Sequence, residues 1–175
     1  LAMSEMAQEK LDKEVSTHRD CLFIIDDDRN LMQMLDRVLA KSFEVVLVTT
    51  PTEAVTLATQ KRPKLILLDI NIPNIDGFEL LRIMKGHPLT IDIPIFCMSA
   101  DLSDSLRAKC IASGASGFLQ KPLNILSISK DLLGLMSSLN SCLHSLDGQR
   151  AFHISYNEIE KNYFDRCNRR QQGNQ

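Results

Sequence analysis

The sequence predicts an α/β protein built on a doubly wound, five-stranded parallel sheet. Five short apolar runs, at residues 21–25 (CLFII), 44–48 (EVVLV), 64–68 (KLILL), 94–98 (PIFCM) and 117–120 (GFLQ), are each of strand length. Most are apolar at successive positions rather than alternate ones, the pattern of strands covered on both faces. Between them lie amphipathic stretches with helix-start and helix-stop signals, so strand and helix alternate five times. Short βα repeats of this kind place a helix over a sheet face at each right-handed crossover.

The elements justify themselves in order. Asp28 is placed to cap a helix carrying Leu31, Met34, Leu35, Val38 and Leu39. Thr50-Pro51-Thr52-Glu53 reads as a capping box with Pro at the first helical position. Asp76-Gly77-Phe78-Glu79 repeats that logic, and its helix should stop near Gly86, before His87-Pro88. Gly114 stands where a helix C-terminus calls for positive φ. In the last helix Ile125, Ile128, Leu132, Leu135, Leu139, Cys142 and Leu146 are spaced 3-4-3-4-3-4, an a/d seam across three heptads. A second stripe, Leu126, Leu133, Met136 and Leu143, is expected to face the sheet. The seam is then left for a second copy of the chain, making a homodimer through an extended fifth helix, or for the C-terminal tail folding back.

The 175 residues suffice for one well-buried domain with a modest extension. The expected division is a leader at 1–20, with Leu1-Ala2-Met3 reading as a cloning remnant, a main domain at 21–139, and a helical extension at 140–175. Ser155-Tyr156-Asn157-Glu158 opens a short amphipathic helix in that extension, with Tyr156, Ile159, Tyr163 and Cys167 on one face. A net charge of -2 provides no footprint for nucleic acid or an anionic membrane. The 29 residues after Leu146 are too few for a winged or four-helix DNA-binding module and nearly balanced in charge. No apolar run approaches the ~20 residues that span a bilayer. The five cysteines contain no C-x-x-C and suit free thiols in a reducing cytoplasm. The four histidines lack the context of a phosphotransfer helix.

In doubly wound sheets the reactive crevice lies beyond the carboxyl ends of the strands. Past the first strand come Asp26, Asp27 and Asp28; past the third, Asp69, Asn71 and Pro73; past the fourth, Ser99, Ala100 and Asp101; past the fifth, Lys121 and Pro122. Taken singly, an Asp after a strand is an ordinary turn or helix cap and a Lys-Pro an ordinary surface loop. Taken together, the set is coherent. Clustered carboxylates repel unless a divalent cation sits among them, and Mg²⁺ suits an all-oxygen site that also accepts a phosphate oxygen. A metal holds the acids ionised, so Asp69 can serve as an oxygen nucleophile while Lys121 and Ser99 meet the phosphoryl oxygens.

FIIDDD, LILLDINIPNIDG, FCMSA and GASGFLQKP together resemble the receiver domain of two-component response regulators, over roughly residues 21–139. The resemblance implies the flavodoxin-like strand order 2-1-3-4-5. It also implies that Asp69 accepts a phosphoryl group from a histidine kinase or phosphotransfer protein, with Mg²⁺ as cofactor. Asp27, Asp69 and the Asn71 backbone carbonyl would hold the metal, and Asp26 would reach it through a water. Ser99 and Lys121 would read the phosphoryl oxygens, and the Lys121–Pro122 bond would be cis. Phe118 would be the switch aromatic, swinging inward as Ser99 moves and so altering the face of the fourth helix, fifth strand and fifth helix for a protein output partner. Departures are mild: Ile72 and Ile75 stand where Met is common, Arg29 where Pro is common, and Phe118 lacks the hydroxyl of a Tyr.

Two other functions compete. Asp26-Asp27-Asp28 contains a D-x-D after an apolar strand and resembles haloacid-dehalogenase-type phosphatases, with Asp26 as nucleophile. Those enzymes favour Thr or Val where this chain has Asn30, and they add a late acidic pair that is missing here. The third reading is a pseudo-receiver adaptor that keeps the fold without being phosphorylated.

Overall fold

The structure, a computed structural model, describes residues 19–101 and 103–145, the stretch 141–145 as backbone only. The tail box at Ser155 and the end of the seam at Leu146 lie outside the described residues. Five strands and five helices alternate: β1 (Asp20–Ile25), α1 (Arg29–Leu39), β2 (Phe43–Val48), α2 (Pro51–Lys61), β3 (Leu65–Asp69), α3 (Gly77–Gly86), β4 (Ile95–Ser99), α4 (Asp104–Ala112), β5 (Gly117–Gln120) and α5 (Ile128–Ser145). All neighbours pair in parallel, in the order β2-β1-β3-β4-β5. Both the architecture and the order agree with expectation. No helix among the described residues is long and apolar enough to cross a membrane.

Side-chain alternation divides the core into two layers. Leu22, Ile24, Leu65, Leu67 and Met98 face α1 and α5, while Phe23, Ile25, Ile66, Leu68 and Cys97 face α2, α3 and α4. All of β3 and β4 is buried, as runs of apolar residues require. β2 departs from that pattern. An edge strand among the described residues, it leaves Glu44 and Leu47 exposed at the margin of the two faces.

Local signals set the helix starts. Asp28 Oδ1 accepts from the backbone N–H groups of Asn30 and Leu31, each at 3.0 Å, capping α1. Asp76 Oδ1 accepts from Phe78 N–H at 2.9 Å. The expected box at α2 closes differently: Thr50 Oγ1 donates to Glu53 Oε2 at 2.8 Å and caps no backbone group. Gly114 takes φ +102° after α4, as predicted.

Of the stripe expected on the sheet, Met136 is there, but Leu126 and Leu133 are not, and residues of the seam take their place. Ile128, Leu132 and Leu135 of the seam, with Met136, are buried on the sheet; Ile125 and Leu139 pack beside them. Leu126 is 98% exposed and Leu133 47% exposed. The helix begins only at Ile128, which leaves Leu126 in the preceding loop, and Leu133 falls ~100° around from Leu132. Between Ile125 and Leu139 the seam is therefore covered by the domain itself, leaving neither a second copy nor the tail to cover it there.

Two positions outside the site carry measurable consequences. A Cβ on Gly77 would lie 2.7 Å from the backbone Cα and O of Ile70, so only glycine lets α3 start against the end of β3. Gly77→Ala should destabilise the fold by ~1–3 kcal/mol, read by chemical denaturation. Lys85 donates to the carbonyls of Ile91 at 3.0 Å and Ile93 at 2.6 Å, and burial lowers its pKa to about 8 against the opposing charge of Asp92. From pH 8 up to the ordinary lysine value of 10.5 the unfolded chain holds this proton more tightly, so stability should rise with pH. Lys85→Met should flatten that rise in denaturation midpoints taken across the window.

Candidate functional site

The carboxyl ends of β1, β3, β4 and β5 meet at one edge, and most of the predicted residues converge there. Asp26 is the first residue past β1; its backbone N–H still donates to Val48 O at 3.3 Å, continuing the ladder. Strand alternation turns Asp26 inward, fully buried, and Asp27 outward into solvent. Asp69 is itself the last residue of β3 and only 5% exposed. Lys121 directly follows β5, held by its N–H to Ser99 O at 2.8 Å, and the Lys121–Pro122 bond is cis.

The Lys121 ammonium bridges two acids. Its Nζ lies 2.6 Å from Asp26 Oδ2 and 2.8 Å from Asp69 Oδ2. The remaining carboxylate oxygens accept backbone donors: Asp26 Oδ1 from Asp28 N–H and Asp69 Oδ1 from Asn71 N–H, both at 2.9 Å. Oxygens of Asp26, Asp27 and Asp69 lie within 4.8 Å of one another. With all three ionised and Lys121 protonated, the cluster holds two net negative charges, which one divalent cation neutralises. Its donors are all oxygens, as a hard ion such as Mg²⁺ requires.

Electrostatics follow from this crowding. Burial pushes the Asp26 carboxyl above the usual aspartate range; the Lys121 hydrogen bond opposes this and the nearby Asp69 charge adds to it. Burial alone would lower the Lys121 pKa, but hydrogen bonds to Asp26 and Asp69 and their charges carry it above the usual lysine value.

Ser99 is at the same edge but engaged elsewhere. Its buried Oγ accepts from Asn71 Nδ2 and from Asp101 N–H, both at 3.1 Å. Only the Asn71 carbonyl was singled out from sequence; the amide latch on Ser99 was missed, because neighbours across two loops are invisible in a linear chain. Phe118 lies inward, 3% exposed, with Arg107 Cζ 5.7 Å from its ring centroid, while Ser99 is bonded to Asn71. The ring has room because the strand register sets it opposite Cys97, a small side chain. Ile72, which stands where Met is common, is buried in the α2–α4 layer.

A family model for the response regulator receiver domain matches residues 22–132. The chain belongs to the response regulator receiver family. The receiver is 34% identical over 102 residues to the transcriptional regulatory protein PrrA of Mycobacterium tuberculosis, covering 58% of this chain and 43% of that protein. It is 32% identical over 104 residues to the response regulator PleD of Caulobacter vibrioides, covering 59% of this chain and 23% of that one. The chain thus spans less than half the length of these relatives. Among solved structures, the chemotaxis response regulator CheY4 of Vibrio cholerae superposes with a TM-score of 0.62 at 26% identity, over 67% of this chain and 98% of its own. Membership removes the dehalogenase alternative, which needed a different family. The expectation that nucleic acid plays no part gains nothing from relatives that include MtrA of Mycobacterium tuberculosis, described as a DNA-binding response regulator and 28% identical over 109 residues.

Proposed function

We propose that this receiver takes a phosphoryl group onto Asp69 from the phosphohistidine of a sensor kinase or phosphotransfer protein, with Mg²⁺ held by Asp27, Asp69 and the Asn71 carbonyl. The observation that carries the reading is Lys121 Nζ seated between Asp26 and Asp69 at the mouth of a three-carboxylate cluster. Response regulators receive phosphoryl groups from histidine kinases, which sets the donor class. Mg²⁺ supplies charge neutralisation for the incoming phosphoryl oxygens.

The chain's own groups do the rest. An Asp69 oxygen forms the new O–P bond as the N–P bond of the donor breaks, and the released imidazole takes up a proton. Lys121 shifts from the Asp69 carboxylate to a phosphoryl oxygen, so no cation has to be recruited. Ser99 exchanges the Asn71 amide for another phosphoryl oxygen; with Phe118 already inward, loss of that latch is what reports the modification. The readout surface is α4, β5 and α5, facing a protein partner in the cytoplasm. The functional unit is 21–139, with 140–175 an extension and 1–20 a leader. Self-association would use exposed Leu126 and Leu133 in place of the covered seam.

Acetyl phosphate with Mg²⁺, followed by intact mass and hydroxylamine trapping, tests the reading. One phosphoryl adduct, mapped to Asp69 and absent when the metal is chelated, supports it. An unmodified protein under the same conditions points to the adaptor role instead.

A further inference from the structure

Away from the acidic edge, α4 rests on the domain with little apolar support. Cys110 is the single fully buried residue among its nine, with Leu106 and Ile111 only partly covered beside it. The hydrophobic effect scales with apolar area removed from water, so it holds this helix weakly. Two cations of α4 meet aromatic rings instead. Lys109 Nζ lies 4.0 Å from the ring centroid of Phe78 at the start of α3, and Arg107 Cζ lies 5.7 Å from that of Phe118 in β5. Both distances fall within the ~6 Å over which a ring face attracts a cation. Both rings are buried, in the same layer as Cys110. Successive residues turn by ~100° about a helix axis, so Arg107 lies ~60° to one side of Cys110 and Lys109 ~100° to the other.

We propose that Arg107 and Lys109 are positioning residues, a pair of cations that clamp α4 between the ring of Phe118 on β5 and the ring of Phe78 on α3. Contacts on both flanks of Cys110 oppose rotation of the helix about its axis, which one buried residue between them resists poorly. One cation meets a strand and the other a neighbouring helix, so α4 is tied to two elements at once. Charge is what these contacts depend on. An apolar side chain of similar length would still cover the rings, but it would lose the attraction of a cation to the negative face of the ring. Lys109 is exposed and Arg107 half-buried, so the clamp closes from the solvent side of the layer. The clamp needs nothing to happen at Asp69, and the inference goes beyond the phosphoryl reading without resting on it.

The test uses the full chain and no phosphoryl donor. Amide exchange is followed by mass spectrometry across residues 104–112, with the strands at 20–25 and 65–69 as internal reference. Arg107→Met and Lys109→Met keep an apolar stem and remove the charge. Each should speed exchange in α4 by about two- to fivefold, and the double variant by about tenfold, while the strands keep the parent rate. Lys109→Arg restores a cation over Phe78 and should return α4 to the parent rate. Phe118→Leu gives a second measurement, because leucine offers no ring face for Arg107 to lose. Arg107→Met added to Phe118→Leu should therefore speed exchange no further than Phe118→Leu alone. Met variants that exchange as slowly as the parent, Lys109→Arg as fast as Lys109→Met, acceleration spread evenly over the strands, or full additivity of Arg107→Met with Phe118→Leu would each overturn the proposal.

Discussion

Asp69→Asn should abolish phosphoryl uptake from acetyl phosphate, lowering the rate by at least ~1000-fold, equivalent to about 4 kcal/mol of barrier. An amide has no oxygen nucleophile to offer, and Ser99 is unable to substitute because its buried hydroxyl is engaged by Asn71 and Asp101. Asp26→Asn should behave differently. It keeps the Asp69 nucleophile and its Lys121 contact but removes one negative charge from the cluster, so the affinity for Mg²⁺ should fall by ~10–100-fold while the site of modification stays the same. Calorimetric titration of the metal alongside intact-mass kinetics separates the two effects. If the Asp26 variant loses the adduct and the Asp69 variant retains it, the nucleophile has been misassigned.

Lys121→Met should cost ~3–5 kcal/mol of stability at neutral pH in the absence of divalent metal. The ammonium is the partner of a fully buried carboxylate and of a second one that is nearly so. Without it, Asp26 and Asp69 face each other with no cation between them. Two treatments should restore the variant: added Mg²⁺, which supplies the missing charge, and acid, which removes a negative one. The sign holds in the parent protein too. The folded-state pKa of Asp26 is raised, so its contribution to stability is present in acid and is lost as pH rises through that raised value. Denaturation midpoints with and without metal, at neutral and acid pH, measure both recoveries. A Lys121→Met protein as stable as its parent in chelator would show that the ammonium does not balance the acids.

Much of this was legible before any coordinates. Apolar runs marked all five strands to within a residue at either end, because a strand buried on both faces has no tolerance for polar side chains. Asp28, Asp76 and Gly114 marked helix ends through chemistry local to a few residues. Other signals misled. Thr50 and Glu53 satisfy each other rather than the backbone, a choice between partners of similar strength. The seam on α5 repeats as a dimer interface would, yet from Ile125 to Leu139 the domain consumes it. Heptad spacing records which residues share a helix face and says nothing of which surface meets that face.

The order of chemistry along the chain by itself determined the alternating architecture and the candidates: acids after the first and third strands, a hydroxyl after the fourth, a lysine after the fifth. Local propensity and burial patterns are short-range, so a single chain displays them. Tertiary structure alone decided that Lys121 bridges Asp26 and Asp69, that the Asn71 amide meets Ser99, that Phe118 lies inward, and which residues of α5 face the sheet. Each of these depends on distances between segments tens of residues apart, which are set by sheet register and helix phase together.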